Sequence, residues 1–153
     1  MPIEKLRKTL EKSRIHYVSL PHDPAFTAQG IAATAHVSGN ELAKTVMVKL
    51  DGRMAMAVLP APRKVNFDRL REAAGASSAE LAHEAEFAAL FPNCEVGAMP
   101  PFGNLYDMEV YVDEPLTHDE EIAFNAGTHT ELIRMQYEDY AKLVKPKVCA
   151  ISA

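Results

Sequence analysis

Two cysteines, Cys94 and Cys149, are all that the 153 residues contain, which is neither a disulfide framework nor a cysteine metal site. Long apolar runs are missing as well. None approaches the roughly 20 residues that a membrane span needs, and Met1-Pro2-Ile3-Glu4-Lys5 has no apolar stretch behind a basic tip, so a cytoplasmic protein without membrane contact is expected. Positive charge is in deficit: 16 Lys and Arg against 21 Asp and Glu leave a net charge of −5, the wrong sign for coating a length of DNA backbone. Six histidines are present, but His83-Glu84 is followed by Phe87 where a His-Glu-x-x-His motif needs its second ligand, and neither metal nor cofactor is expected. A P-loop is excluded by Ala43 and Ser38 at its two glycine positions ahead of Lys44, and no Gly-x-Ser-x-Gly occurs. What remains is an ordinary globular balance, 48% hydrophobic and 24% charged. Residues 1–153 are expected to form one domain around one core.

Hydrophobic spacing predicts the elements. Ile3, Leu6 and Leu10 mark an amphipathic helix over 3–13, His16 to Leu20 is a short β-tolerant run, and Pro21-His22-Asp23-Pro24 forces a turn. Thr27 caps a helix at 28–36, with Phe26 and Ile31 as its staple. Alternation of Val46, Val48 and Leu50 with Met47 and Lys49, then Asp51-Gly52, then 54–59, predicts a hairpin. Asn66 caps a helix over 67–74 that Gly75 stops, and Ser77-x-x-Glu80 has the pattern of a capping box for a second helix running to about Leu90. Strands are expected at 108–112, 121–125 and 130–135, and a closing helix at 137–145. The order αβα-ββ-αα-βββ-α implies an α/β domain with a mixed β-sheet and surrounding helices.

Phe91 to Asn104 is rich in Pro and Gly and has no period, the pattern of a long functional loop. Within it, Gly97-Ala98-Met99-Pro100-Pro101-Phe102-Gly103 combines glycines that allow close backbone approach with prolines that stiffen the chain. Such a loop can bind a small polar group through its N–H and C=O groups, or simply turn from helix to strand. Lys44, at the entrance of the first hairpin strand, can hold a phosphate or a developing oxyanion as a point charge, or be a solvated strand-end lysine. Cys94 is a weak nucleophile candidate, since the adjacent Glu95 would raise its thiol pKa. His129 lines a pocket if the turn at 125–127 faces the loop, and is otherwise an exposed turn histidine. Asp119-Glu120-Glu121 reads as a solvated charge run.

Three blocks together resemble the YbaK-type aminoacyl-tRNA deacylases, the family that includes the editing domain of bacterial prolyl-tRNA synthetases: Glu41-Leu42-Ala43-Lys44-Thr45-Val46-Met47-Val48, Gly97 to Gly103, and Glu121-Ile122-Ala123-Phe124-Asn125-Ala126-Gly127. The resemblance implies a single YbaK-type domain with a mixed, partly open barrel-like sheet. It also implies hydrolysis of the ester joining a wrongly attached amino acid to the terminal ribose of a tRNA. Lys44 matches the family's essential lysine, and Gly97 and Pro101 match its Gly-x-x-x-Pro loop. Phe26, Thr27, Thr45, Ala98, Met99, Pro100 and His129 fall at substrate-binding positions. The implied partners are the aminoacyl-tRNA acceptor end and an aminoacyl-tRNA synthetase. The alternative is a non-catalytic module that binds aminoacyl-tRNA, a synthetase or an amino-acid derivative.

Overall fold

The hairpin strands β2 (Ala43–Leu50) and β3 (Arg53–Pro60) pair antiparallel over their whole length, from Ala43 opposite Pro60 to Leu50 opposite Arg53. Asp51 and Gly52 join them with φ of 52° and 81°, the pair of positive values that a tight hairpin turn matched to strand twist requires. The computed structural model describes residues 4–21, 41–95 and 97–152. The expected helix at 28–36, Phe26 and Thr27 lie outside the described residues, as does the predicted turn beyond Pro21.

Around this hairpin a five-stranded mixed sheet has the order β4-β2-β3-β5-β8, with β4 at Ala79–Leu81, β5 at Glu109–Asp113 and β8 at Lys147–Cys149. The β2 pairings are antiparallel, while β3 with β5 and β5 with β8 are parallel. A second, antiparallel sheet has the order β1-β7-β6, from Tyr17–Pro21, Glu131–Gln136 and Glu121–Asn125. The two sheets meet where Leu42 bridges Ala123 in parallel, with the Ala123 amide donating to the Glu41 carbonyl at 3.0 Å. The mixed sheet is therefore open, and a second sheet leans on it at the start of β2.

Helices cover the sheets as the apolar spacing demands. Helix α1 (Glu4–Lys12) buries Leu6 and Leu10 completely. Helix α2 (Phe67–Ala74) is capped by Asn66, whose side chain accepts from the Arg69 amide at 3.1 Å, and ends at Gly75 in the left-handed region. Helix α4 (Tyr137–Val144) follows β7 directly. One core cluster joins Leu6, Leu10, Met47, Met56, Phe102, Phe124 and Tyr140; a smaller one on the other side of the hairpin joins Val48, Ala55, Leu70, Tyr111 and Ile151.

The second predicted helix is corrected by tertiary pairing. Ser77 and Ser78 do not cap a helix, because both of their amides donate to the Asp51 carboxylate at 2.9 Å. The following residues add β4 to the sheet, with Lys49 opposite Glu80. The helix begins later, as α3 (Glu84–Phe87), where the Glu86 carboxylate accepts from the His83 amide at 3.0 Å, and it continues as a 3₁₀ turn over Ala88–Leu90. Strand β8 had no recognisable alternation in its three residues.

Candidate functional site

The loop after α3 is clasped to the turn between β6 and β7 by a reciprocal pair of backbone hydrogen bonds. The Glu95 amide donates to the Gly127 carbonyl at 2.8 Å, and the Gly127 amide donates to the Ala98 carbonyl at 2.9 Å. Between these anchors Gly97 takes φ +86°, and a Cβ built there would stand 3.4 Å from His129 Cε1. Glycine serves here for a backbone angle that side chains rarely adopt, while the imidazole would meet an added Cβ at ordinary contact distance. His129 is 5% exposed and faces the loop, so it is not an exposed turn histidine.

The rest of the loop is buried and fixed. Ala98, Met99, Pro100 and Pro101 are all buried, Met99 packs in the core cluster with Ala43, Met47 and Ala126, and the Tyr140 hydroxyl donates to the Pro101 carbonyl at 2.7 Å. The Gly97 amide donates to the Met99 sulfur at 3.3 Å. A thioether is a weak acceptor, so this exposed amide is held in place by a partner that a carbonyl oxygen or oxyanion can displace.

Lys44 sits one residue into β2, opposite Leu59, just past the Leu42–Ala123 bridge. Partial burial, reinforced by the nearby Lys64 ammonium, holds the Lys44 ammonium below the ordinary lysine range. Strand alternation directs it to the side of Val46 and Val48, whereas Thr45 shares the side of Ala43 and Met47, where Met99 packs. Strand β6 connects the two halves: Ala123 touches the start of β2, and four residues later Gly127 clasps the loop. The structure brings Gly97, Ala98 and His129 together, and places Lys44 and Thr45 at the other end of the same spine.

Cys94 keeps its raised thiol pKa, but burial is the cause, opposed by a contact to the Tyr106 hydroxyl at 3.8 Å. The adjacent Glu95 is not what raises it. Among the described residues no group of three His, Cys, Asp or Glu side chains is placed to hold a metal ion, and no helix is long and apolar enough to cross a membrane. A cleft of about 400 Å³ opens elsewhere, between Leu50, Arg53, Met54, Tyr106, Met108 and Glu109; none of the sequence-predicted site residues lines it. Sequence reasoning missed the Gly127 clasp and the Tyr140 anchor, which join residues far apart in the chain. It also missed Lys64, although the Arg63-Lys64 pair just beyond the second hairpin strand was a visible signal.

Residues 22–143 match the family model for the aminoacyl-tRNA editing domain. The proline–tRNA ligase of Bacillus cytotoxicus is 30% identical over 110 residues, covering 72% of this chain and 18% of that enzyme, so the chain spans less than a fifth of the ligases it matches. The multifunctional Ser/Thr-tRNA deacylase ProXp-y of Escherichia coli is 24% identical over 151 residues, covering 95% of this chain and 89% of that protein. Two solved structures share the fold. Hypothetical protein APE2540 has a TM-score of 0.87 at 23% identity, covering 98% of this chain and 100% of that one. A candidate trans-editing enzyme for prolyl tRNA synthetase has a TM-score of 0.82 at 18% identity, covering 97% and 95%.

Proposed function

The chain belongs to the aminoacyl-tRNA editing domain family, and from that membership we propose that it is a free-standing trans-editing deacylase acting on mischarged aminoacyl-tRNA in the cytoplasm, with residues 1–153 working as one domain. The observation that carries this reading is the clasped loop, in which Gly97 is fixed beside His129 with its amide on a weak acceptor. In the proposed reaction water adds to the ester carbonyl, the C–O bond to the ribose breaks, and the ribose oxygen leaves with the water's proton, giving free amino acid and tRNA. The Gly97 amide, whose present acceptor is only the Met99 sulfur, stabilises the tetrahedral oxyanion, which needs a preorganised donor more than a strong base when the ester is already activated. Lys44 anchors the terminal phosphate or the ester end as a cation. Thr45, Ala98, Met99, Pro100 and His129 select the amino acid in this reading, a role that the resemblance also assigns to Phe26 and Thr27. A synthetase delivers the substrate.

The test is deacylation of labelled Ala-, Ser-, Thr- and Cys-tRNAs by the wild type and by Lys44→Ala. Selective hydrolysis that is lost in Lys44→Ala supports the reading. Tight binding without turnover on any member makes the chain a binding module instead. The half-buried thiol of Cys94, with its raised pKa, takes no part in this scheme, so Cys94→Ser retains the activity.

A further inference from the structure

Of the 16 Lys and Arg of this acidic chain, five have an ion-pair partner among the described residues and eleven have none there, and four of the eleven lie together. Arg7, Lys8, Lys49, Arg71 and Lys147 each have a carboxylate at ion-pair distance. Lys44, Arg63, Lys64 and Arg69 have none among the described residues, and the last three are exposed.

The fold gathers these four. Ala61 donates its amide to the Leu42 carbonyl at 2.8 Å, and Arg63 donates to the Pro60 carbonyl at 3.0 Å, so the turn after β3 carries Arg63 and Lys64 back beside the start of β2. The Lys64 charge is felt at Lys44. Arg63 Nη1 donates to Ser152 Oγ at 3.1 Å, and Arg69 Nη1 to the Ser152 carbonyl at 2.8 Å. Ser152 is itself buried and bridged to Val65. One residue thus holds two guanidiniums without neutralising either, through one Nη1 bond from each, while both arginines remain exposed.

We propose that Arg63, Lys64 and Arg69 form a phosphate-binding edge continuous with Lys44, which takes successive phosphodiesters of the single-stranded acceptor end of the tRNA. The proposal rests on the deacylase reading for the identity of the strand. Its chemistry is a row of exposed, unpaired cations with bidentate-capable arginines, the donors that phosphate oxygens select. Such an edge lets a chain of net charge −5 hold a polyanion through a few local contacts.

The test uses an uncharged, 5′-fluorescein-labelled single-stranded RNA ending in CCA, with binding followed by anisotropy between about 50 and 200 mM salt. Each phosphate contact on a single strand contributes about 0.7 to the slope of log K against log salt. Lys64→Gln, which removes no hydrogen bond seen in the structure, lowers the slope by about that amount, and Arg63→Gln/Lys64→Gln/Arg69→Gln flattens it further. Lys49→Gln, on the same strand as Lys44 but locked to Glu80 and Glu86, keeps the wild-type slope. Thermal melts identify any loss that comes from freeing Ser152, and Lys64→Gln then decides. An unchanged slope in Lys64→Gln, or an equal fall in Lys49→Gln, overturns the edge. Deacylation with an unchanged slope removes the edge and leaves the enzyme reading intact. A slope lost in Lys64→Gln without any deacylation does the reverse.

Discussion

The Tyr140 hydroxyl donates to the Pro101 carbonyl oxygen at 2.7 Å, with both residues buried. A helix near the end of the chain thus holds the last residue of a loop 39 positions earlier. Tyr140 also packs on Phe102 edge-on, with ring centroids 5.3 Å apart. Replacing Tyr140 by Phe keeps the ring and strands a buried carbonyl, which costs about 1–3 kcal/mol. Thermal melting then falls by several degrees, at about 2–4 °C per kcal/mol for a chain of this length. A melting temperature unchanged within error shows that another donor reaches Pro101.

The phenols also set an alkaline limit on stability. Burial raises Tyr140 well above its ordinary value of 10.0, raises Tyr137, and pushes Tyr111 to about 12. A raised folded pKa means that the unfolded chain ionises first, so the stabilisation is complete below pH 10 and is lost as pH rises through the folded values. Denaturant titrations at rising pH are expected to show falling stability above pH 10, and phenolate absorbance should lag in the native state until the chain unfolds. Early phenolate growth in folded protein contradicts this.

Gly97→Ala separates strain from chemistry when it is compared with Gly52→Ala. Both glycines have positive φ, +86° and +81°, but only Gly97 has a neighbour, His129, within 4 Å of an added Cβ. Each substitution costs about 1–3 kcal/mol of backbone strain, read as a similar fall in melting temperature. Deacylation is expected to drop at least about tenfold in Gly97→Ala, the effect of about 1.4 kcal/mol on the barrier, and to hold in Gly52→Ala. Equal activities would detach the loop from the reaction.

Local signals carried much of this fold because they are local forces. The cap at Asn66, the stop at Gly75 and the Asp51-Gly52 turn are each decided within a few residues, and all three form as expected. Ser77-x-x-Glu80 misled for the complementary reason. Its pattern satisfies amides from within, but Asp51, 26 residues away, satisfies them first. The site divides in the same way: Gly97 and His129 were visible as residues, whereas their proximity depends on the Gly127 clasp and is a property of the folded chain.

Asp51 consequently has two roles, a positive-φ turn residue and the acceptor for Ser77 and Ser78. Asp51→Asn keeps the turn preference and an acceptor oxygen but loses the charge, while Asp51→Ala loses all three. Hydrogen bonds to a charged group contribute about 1.5–3 kcal/mol when buried, and less at an exposed site such as this. Asp51→Ala is therefore expected to destabilise by about 1–2 kcal/mol, with Asp51→Asn in between. Faster amide exchange confined to 77–81 is the local signature, and exchange that rises evenly over the whole sheet argues against it.

Lys44 offers a pH test of the proposed chemistry. Burial first, and the Lys64 charge second, lower its pKa from 10.5, so the ammonium is lost at a lower pH than an ordinary lysine would lose it. If the cation anchors the substrate, activity is full on the acid side and declines as pH rises through that lowered value. Removing the Lys64 charge weakens one of the two causes, so Lys64→Gln moves the alkaline limb to higher pH even while substrate binding weakens. Lys44→Arg, whose guanidinium stays charged, loses the limb altogether in whatever activity it retains. A limb that stays in place in Lys64→Gln and persists in Lys44→Arg belongs to another group, and Lys44 would then hold the substrate without setting the pH dependence.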